Sequence, residues 1–198
     1  MTVDLKAAAF TLNGLRPYPV AVTTVSGGRA NGLIALSSGS GSILAEAPRV
    51  MIGLTKYNLT HDMVKESGVF VMHLLATGSE EVLAASMQIM MQLGGSSGRD
   101  GDKLAGLRTK EGVTGSPILL DALTYVEGRV VNSMDADENT VFLADVVGSE
   151  RLVKGERLGI GEAWGKLPPE WVEEYERNHE AQLEDARVHR GLSARAHA

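Results

Sequence analysis

The sequence predicts a mainly β domain with a few flanking helices and a C-terminal helical arm, on three observations. Two pairs of β-branched or apolar runs are each joined by a short polar or glycine turn. A further apolar run, Val69 to Leu75, places Phe70, Met72 and Leu74 on one face and Val71, His73 and Leu75 on the other. From Pro168-Pro169 onward the chain becomes dense in Glu, Arg and His and poor in apolar residues.

The elements follow in order from about Phe10 to Arg157. Pro19 to Val25 and Ala30 to Leu36 flank Ser26-Gly27-Gly28-Arg29, which reads as a hairpin with the glycine pair at its turn. Arg49 to Leu54 is a further strand. A short helix is expected to start at Thr60, whose hydroxyl is placed to cap the first free amides, and to end at Gly68, with Asp62 favourably in its first turn. After the central strand Val69 to Leu75 comes the clearest helix. Thr77 with Glu80 matches a capping box, Leu83, Met87, Met90 and Met91 recur at helical spacing, and Gly94 ends the run. Gly94 to Gly101 is a glycine-serine loop. Leu123 to Asn132 and Val141 to Val147 form the second strand pair, with Asp135 to Asn139 as its polar turn. In the tail, Pro169 suits a first helical turn, and Trp171 to Tyr175 give one narrow apolar stripe. Such a thinly apolar helix is expected to lie across the barrel or a partner subunit and to fray toward Ala198.

A chain of 198 residues is long enough for one well-buried core. The formal net charge of -6 gives no electrostatic pull toward nucleic acid or an anionic membrane. Cysteine is absent, which excludes disulfides, thiol catalysis and cysteine-held metal centres. The five histidines form no close ligand pair, so no metal site is expected. The first ten residues lack the order of a signal peptide and no apolar run could span a bilayer, which reads as a cytoplasmic protein.

Two polar clusters could carry chemistry. Ser37-Ser38-Gly39-Ser40-Gly41-Ser42 leaves the second hairpin strand directly, and hydroxyls and unhindered amides at this density can surround a phosphate or the edge of a heterocycle. Taken alone, such a run is more often a flexible linker. Lys56-Tyr57-Asn58-Leu59-Thr60-His61 sits at the end of a strand and the start of a helix, where free amides, a cation and a hydroxyl meet. Its alternative reading is a capped helix with a solvated lysine. His73, in a central strand, reads as a hydrogen-bonded core residue, and His179, His189 and His197 as solvent-facing.

Together the clusters resemble the flavin reductase family. The likeness runs through Asn31-Gly32, Ser37, Ser40 and Ser42, Ala47-Pro48, the strand at Val50 to Leu54, and Lys56 to Thr60. It continues through Glu66 to Val71, Asp102-Lys103-Leu104, Gly115 to Leu119 and Leu143 to Val146. The resemblance implies an FMN-binding split β-barrel over residues 1–160, with 161–198 as a helical tail. It implies FMN as cofactor, with FAD as the other flavin, and NADH or NADPH as hydride donor to it. No acid-base residue is obligatory for that transfer.

By the same resemblance Ser37, Ser38 and Ser42 would run along the flavin ring and ribityl chain, and Lys56, Asn58 and Thr60 would hold the phosphate. Leu36, Ser40, Tyr57 and His61 complete the expected cofactor contacts. A homodimer and a flavin-dependent monooxygenase as recipient of reduced flavin are the implied partners. Family members often carry Asp-His-Thr in the turn before the last barrel strand, where this chain has Glu138-Asn139-Thr140. That departure keeps two alternatives open: an FMN-retaining flavoenzyme with another substrate, or a non-catalytic flavin-binding protein.

Overall fold

The fold is seen in a computed structural model that describes residues 3–192. Helix α1 (Leu5–Gly14) opens the chain, capped by the Asp4 carboxylate, which accepts from the Lys6 and Ala7 amides. The hairpin strands β1 (Val20–Ser26) and β2 (Arg29–Ala35) follow, then the three-residue β3 (Ser38–Ser40) and β4 (Arg49–Thr55). Helix α2 (Leu59–Ser67) leads into β5 (Val69–Leu74) and the two-residue β6 (Ala76–Thr77), and helix α3 (Glu80–Gly94) comes next. The short β7 (Thr109–Glu111) and β8 (Pro117–Leu119) precede the long pair β9 (Thr124–Ala136) and β10 (Asn139–Arg151). The two-residue β11 (Glu156–Arg157), α4 (Ile160–Trp164) and α5 (Pro169–His189) close the described chain.

Seven strands pair antiparallel in the order β2-β1-β5-β9-β10-β4-β3. The sheet curls, because one apolar cluster draws Val20, Val22 and Leu33 from one end of that order and Val50, Ile52 and Leu54 from the other, with Phe70 and Phe142 between them. The two edges therefore face each other without pairing, and a seam remains between β2 and β4. A second cluster packs α3 against the outside of the sheet through Met87, Ile89, Met90 and Leu93. His73 on β5 is fully buried: its Nδ1 is 3.1 Å from the Ala21 carbonyl, and its Nε2 accepts from the Leu119 amide at 3.0 Å.

Several local expectations are corrected. The cap of α3 is Ser79, whose hydroxyl accepts from Val82, and not Thr77. Thr77 is held in β6, paired with Glu156 of β11, and its hydroxyl donates to Glu162 at 2.6 Å. Asn58, not Thr60, is the cap residue of α2, and it makes no side-chain capping bond. The β9–β10 turn is tighter than expected, with Asp137 at φ 63. Helix α1 was not anticipated, and α5 is a continuous 21-residue helix. The fraying expected toward Ala198 lies outside the described residues. Among those residues no helix is long and apolar enough to cross a membrane.

Candidate functional site

A cavity of about 800 Å³ opens in the seam between β2 and β4. The chain crosses the seam at Leu36–Ser37, directly after β2, and is fastened there by the Gly53 amide donating to the Ser37 carbonyl at 2.8 Å. Any side chain at Gly53 would press on the Ser37 Cβ, 3.1 Å from where its own Cβ would stand, so glycine permits this crossing. Leu33, Ile34 and Leu36 give one wall an apolar lining, and Leu54 and Leu93 give another.

The start of α2 closes one end. Asn31 and Thr60 are both buried there, and the Asn31 carboxamide donates to the Thr60 hydroxyl at 3.1 Å. Asn58 makes no side-chain capping bond, so its carboxamide and the Leu59 and Thr60 amides are left without a cap beside the cavity that these residues line, while the His61 amide donates to the Asn58 carbonyl at 3.0 Å. The glycine-serine loop after α3 contributes Ser96, Ser97 and Gly98. Arg99 fastens that loop to α2, its guanidinium donating to the Tyr57 carbonyl at 3.0 Å and pairing with Asp62 at 2.9 Å.

Of the residues expected to touch a cofactor, Leu36, Ser37, Tyr57, Asn58 and Thr60 line this one cavity. Five others do not. Ser38 and Ser40 lie on the exposed edge strand β3. Ser42 follows that strand, where its hydroxyl accepts from the Leu44 amide at 3.0 Å. Lys56 points at the β9 end, its ammonium 2.8 Å from both Asp135 oxygens. His61 is buried with both ring nitrogens engaged, by Thr140 at 2.9 Å and Asp62 at 3.0 Å.

The cavity also holds residues that the sequence did not single out for it. Lys103 lies on its wall, buried, and burial lowers its ammonium from 10.5 to about 8. Glu138 and Asn139 reach it from the β9–β10 turn, and the Glu138 Oε2 is buried with no hydrogen-bond partner. From the opposite side α5 lies across the opening with Glu174, Tyr175, Asn178, His179 and Gln182. His179 is exposed, as expected, and also stacks on Tyr175 at 5.8 Å, while Tyr175 stacks on Trp171 at 5.4 Å. The one signal available in the sequence was the four-residue spacing of these three rings along one helix face.

Comparison with known proteins agrees with this geometry. The profile of the Flavin reductase like domain matches residues 14–157. A high molecular weight rubredoxin of Moorella thermoacetica is 32% identical over 138 residues, which cover 69% of this chain and 57% of that protein. The chain thus spans little more than half the length of that relative. A ferric-chelate reductase (NAD(P)H) of Archaeoglobus fulgidus is 30% identical over 138 residues, 69% of this chain and 77% of that one. Among solved structures, nitrilotriacetate monooxygenase component B from Mycobacterium thermoresistibile superposes with a TM-score of 0.56 at 23% identity, covering 82% of this chain and 92% of its own. A barrel split at a seam, with an apolar and hydroxyl-rich cavity in it, is thus joined to a profile match over most of the sequence, and the chain belongs to the flavin reductase-like family of oxidoreductase domains.

Proposed function

We propose that the chain is an NAD(P)H-dependent flavin oxidoreductase that holds FMN in the seam cavity, with residues 1–160 as the redox domain and the segment from 161 onward as a tail that supplies the cover. The observation that carries this reading is the donor set of the cavity. Apolar walls, hydroxyls and carboxamides on Ser37, Asn31, Asn58 and Thr60, and one buried cation suit a ligand with a flat ring, a polyol chain and an anionic end. When bound, FMN would accept a hydride from NADH or NADPH and supply the redox chemistry that no side chain here provides.

The residues have the remaining work. Leu33, Leu36, Leu54 and Leu93 exclude water from the ring. Ser37 and Asn58 offer donors and acceptors to polar edges, and Thr60 is fixed for the same purpose by Asn31. The unpartnered Glu138 oxygen can accept from an amide brought into the cavity.

A homodimer belongs to the same reading. Helix α1 buries none of its own residues, and Leu5 and Leu12, two turns apart on one face, stand 76% and 52% exposed, an apolar stripe suited to a second copy. Cytoplasmic location and delivery of reduced flavin to a separate monooxygenase are parts of the proposal. The likeness to a monooxygenase component B supports the latter. One observation favours a second reading, a flavoenzyme that keeps its FMN for another substrate: α5 lies across the cavity and would hinder release.

Anaerobic titration with FMN and then with NADH or NADPH, followed at the visible flavin band, tests both. Bleaching establishes the reductase. Bound flavin that no nicotinamide bleaches favours the second reading, and absence of binding by FMN or FAD overturns both.

A further inference from the structure

Arg16 is the one arginine that lines the seam cavity among the described residues. Other arginines are committed to partners, Arg49 to Asp145, Arg99 to Asp62 and Arg190 to Asp137. Arg16 is exposed, and its guanidinium makes no hydrogen bond, ion pair or ring contact among the described residues. Its five donors are therefore open to whatever enters beside it.

The strand register fixes its place. At one end of β2, Asn31 binds Thr60 at the start of α2. Ala35, four residues and about 13 Å further along the strand, pairs with Val20 at the start of β1. Arg16 stands just ahead of β1, where the Ile160 amide donates to the Pro17 carbonyl at 2.9 Å and fastens the chain. It thus lies at the end of the cavity away from α2. The α2 end carries negative charge at its rim. Glu138 belongs there, because its carbonyl accepts from the Lys56 amide at 2.9 Å, and Asp100 follows Gly98, which packs on the Asn31 carboxamide. Helix α5 adds Glu174 from above. The cavity's other cation, Lys103, is buried within it, so an anionic group that stays at the mouth meets a free positive charge only at Arg16.

We propose that Arg16 receives a phosphate group of the dinucleotide hydride donor and thereby sets the direction in which the donor lies across the mouth. The inference rests on the nicotinamide-dependent reading. A guanidinium presents a planar fork that matches phosphate with two parallel hydrogen bonds, and here no neighbouring carboxylate competes for it. Arg16 orients the donor and takes no part in the hydride transfer. Two phosphates qualify by the same chemistry: the diphosphate common to NADH and NADPH, and the ribose phosphate that only NADPH carries.

A donor with the same ring and no phosphate, N-benzyl dihydronicotinamide, separates positioning from folding and chemistry. Oxidation of NADH, NADPH and the benzyl compound is measured at saturating FMN in wild type, Arg16→Gln and Arg16→Lys. Arg16→Gln should raise KM for the dinucleotide by about 10-fold, the scale of a charge-assisted contact, with kcat and the rate on the benzyl donor unchanged. Arg16→Lys should recover part of the loss. A rise for both dinucleotides assigns Arg16 to the diphosphate, and a rise confined to NADPH assigns it to the ribose phosphate. Unchanged KM for both, or an equal loss on the benzyl donor, overturns the inference. Wild type that oxidises neither dinucleotide overturns the nicotinamide reading instead. The phosphate role is then decided by calorimetry of NAD+ and NADP+ with the flavin-loaded protein: binding that Arg16→Gln weakens sustains it, and binding indifferent to the substitution, or none, overturns it.

Discussion

The two sides of the cavity are made in different ways. On the barrel side much of the apolar lining is delivered by structure that the core already requires: Leu33 and Leu54 belong to the central cluster, and Leu93 belongs to the face of α3 that packs on the sheet. On the other side α5 buries none of its own residues. It is held at its start by Trp171 and, beyond its end, Arg190 joins His189 on the β9–β10 turn. One wall is fixed by folding, and the other is laid on by a few contacts. The difference implies that the cavity can be uncovered without unfolding the barrel.

The largest effect expected from this contrast is on the barrel alone. Burial lowers the pKa of His73 from 6.5 to about 4, against a smaller raising influence of its bond to the Ala21 carbonyl. The sign follows from which state takes up the proton first. Below pH 6.5 the unfolded chain is protonated at this position while the folded one is not, so stability is complete above 6.5. It falls as the pH drops toward 4, by about 3 kcal/mol in all. Urea midpoints measured from pH 7.5 to 4.5 should show this fall, and His73→Gln, although less stable at pH 7.5, should show less of it. A slope unchanged in that variant would assign the acid sensitivity to other groups.

The same contrast explains what the sequence could and could not disclose. The hairpin strands were legible because a β-branched run, Val20–Ser26, and an apolar run within Arg29–Ala35 flank a glycine turn. The outer ends of β9 and β10 were not, because Ser133, Met134 and Asp135 are exposed there and carry no apolar alternation. Asp4 ahead of Lys6-Ala7-Ala8-Ala9 was a readable signal for α1, an N-cap followed by strong helix formers. The capping role expected of Thr77 failed because pairing with β11 holds that residue in extended backbone. At the site, spacing brought Ser37, Asn58 and Thr60 to one place, but spacing does not report direction: Lys56 and His61 lie beside them in sequence and turn elsewhere. Lys103 was invisible as a site residue, since its distinction is burial without a partner, a property of the fold.

A smaller effect is expected where α5 is anchored. The Trp171 indole lies over Gly94 and Gly95, with its ring atoms 3.2 Å from where a Gly94 Cβ would stand, and its Nε1 donates to the Met91 carbonyl at 3.2 Å. Trp171→Ala removes that packing and one of the two bonds to the Met91 carbonyl, which keeps the Gly95 amide at 3.0 Å, for a loss of about 2 kcal/mol in the docking of the helix. Hydrogen exchange should quicken along α5 while β5 and β9 keep their protection. Equal loss of protection in the strands would show that the helix and barrel unfold together, and the contrast between the two walls would be lost.

The smallest effect belongs to the far end of α5. Asp137 faces His189 and Arg190 at 3.6 Å each, and Arg190 is also 3.9 Å from Glu138, all of them exposed or half-exposed and so weak and salt-sensitive. Asp137→Asn should cost less than about 1 kcal/mol and leave the barrel's urea midpoint nearly unchanged. It should still hasten the exchange of bound flavin a few-fold at low salt, because these pairs hold the helix at the turn that carries Glu138 and Asn139 into the cavity. In 0.5 M salt the wild type and the variant should converge. If exchange in the wild type is indifferent to both the substitution and the salt, Trp171 alone holds the cover, and the ion pairs beyond the end of α5 are surface contacts without a part in access.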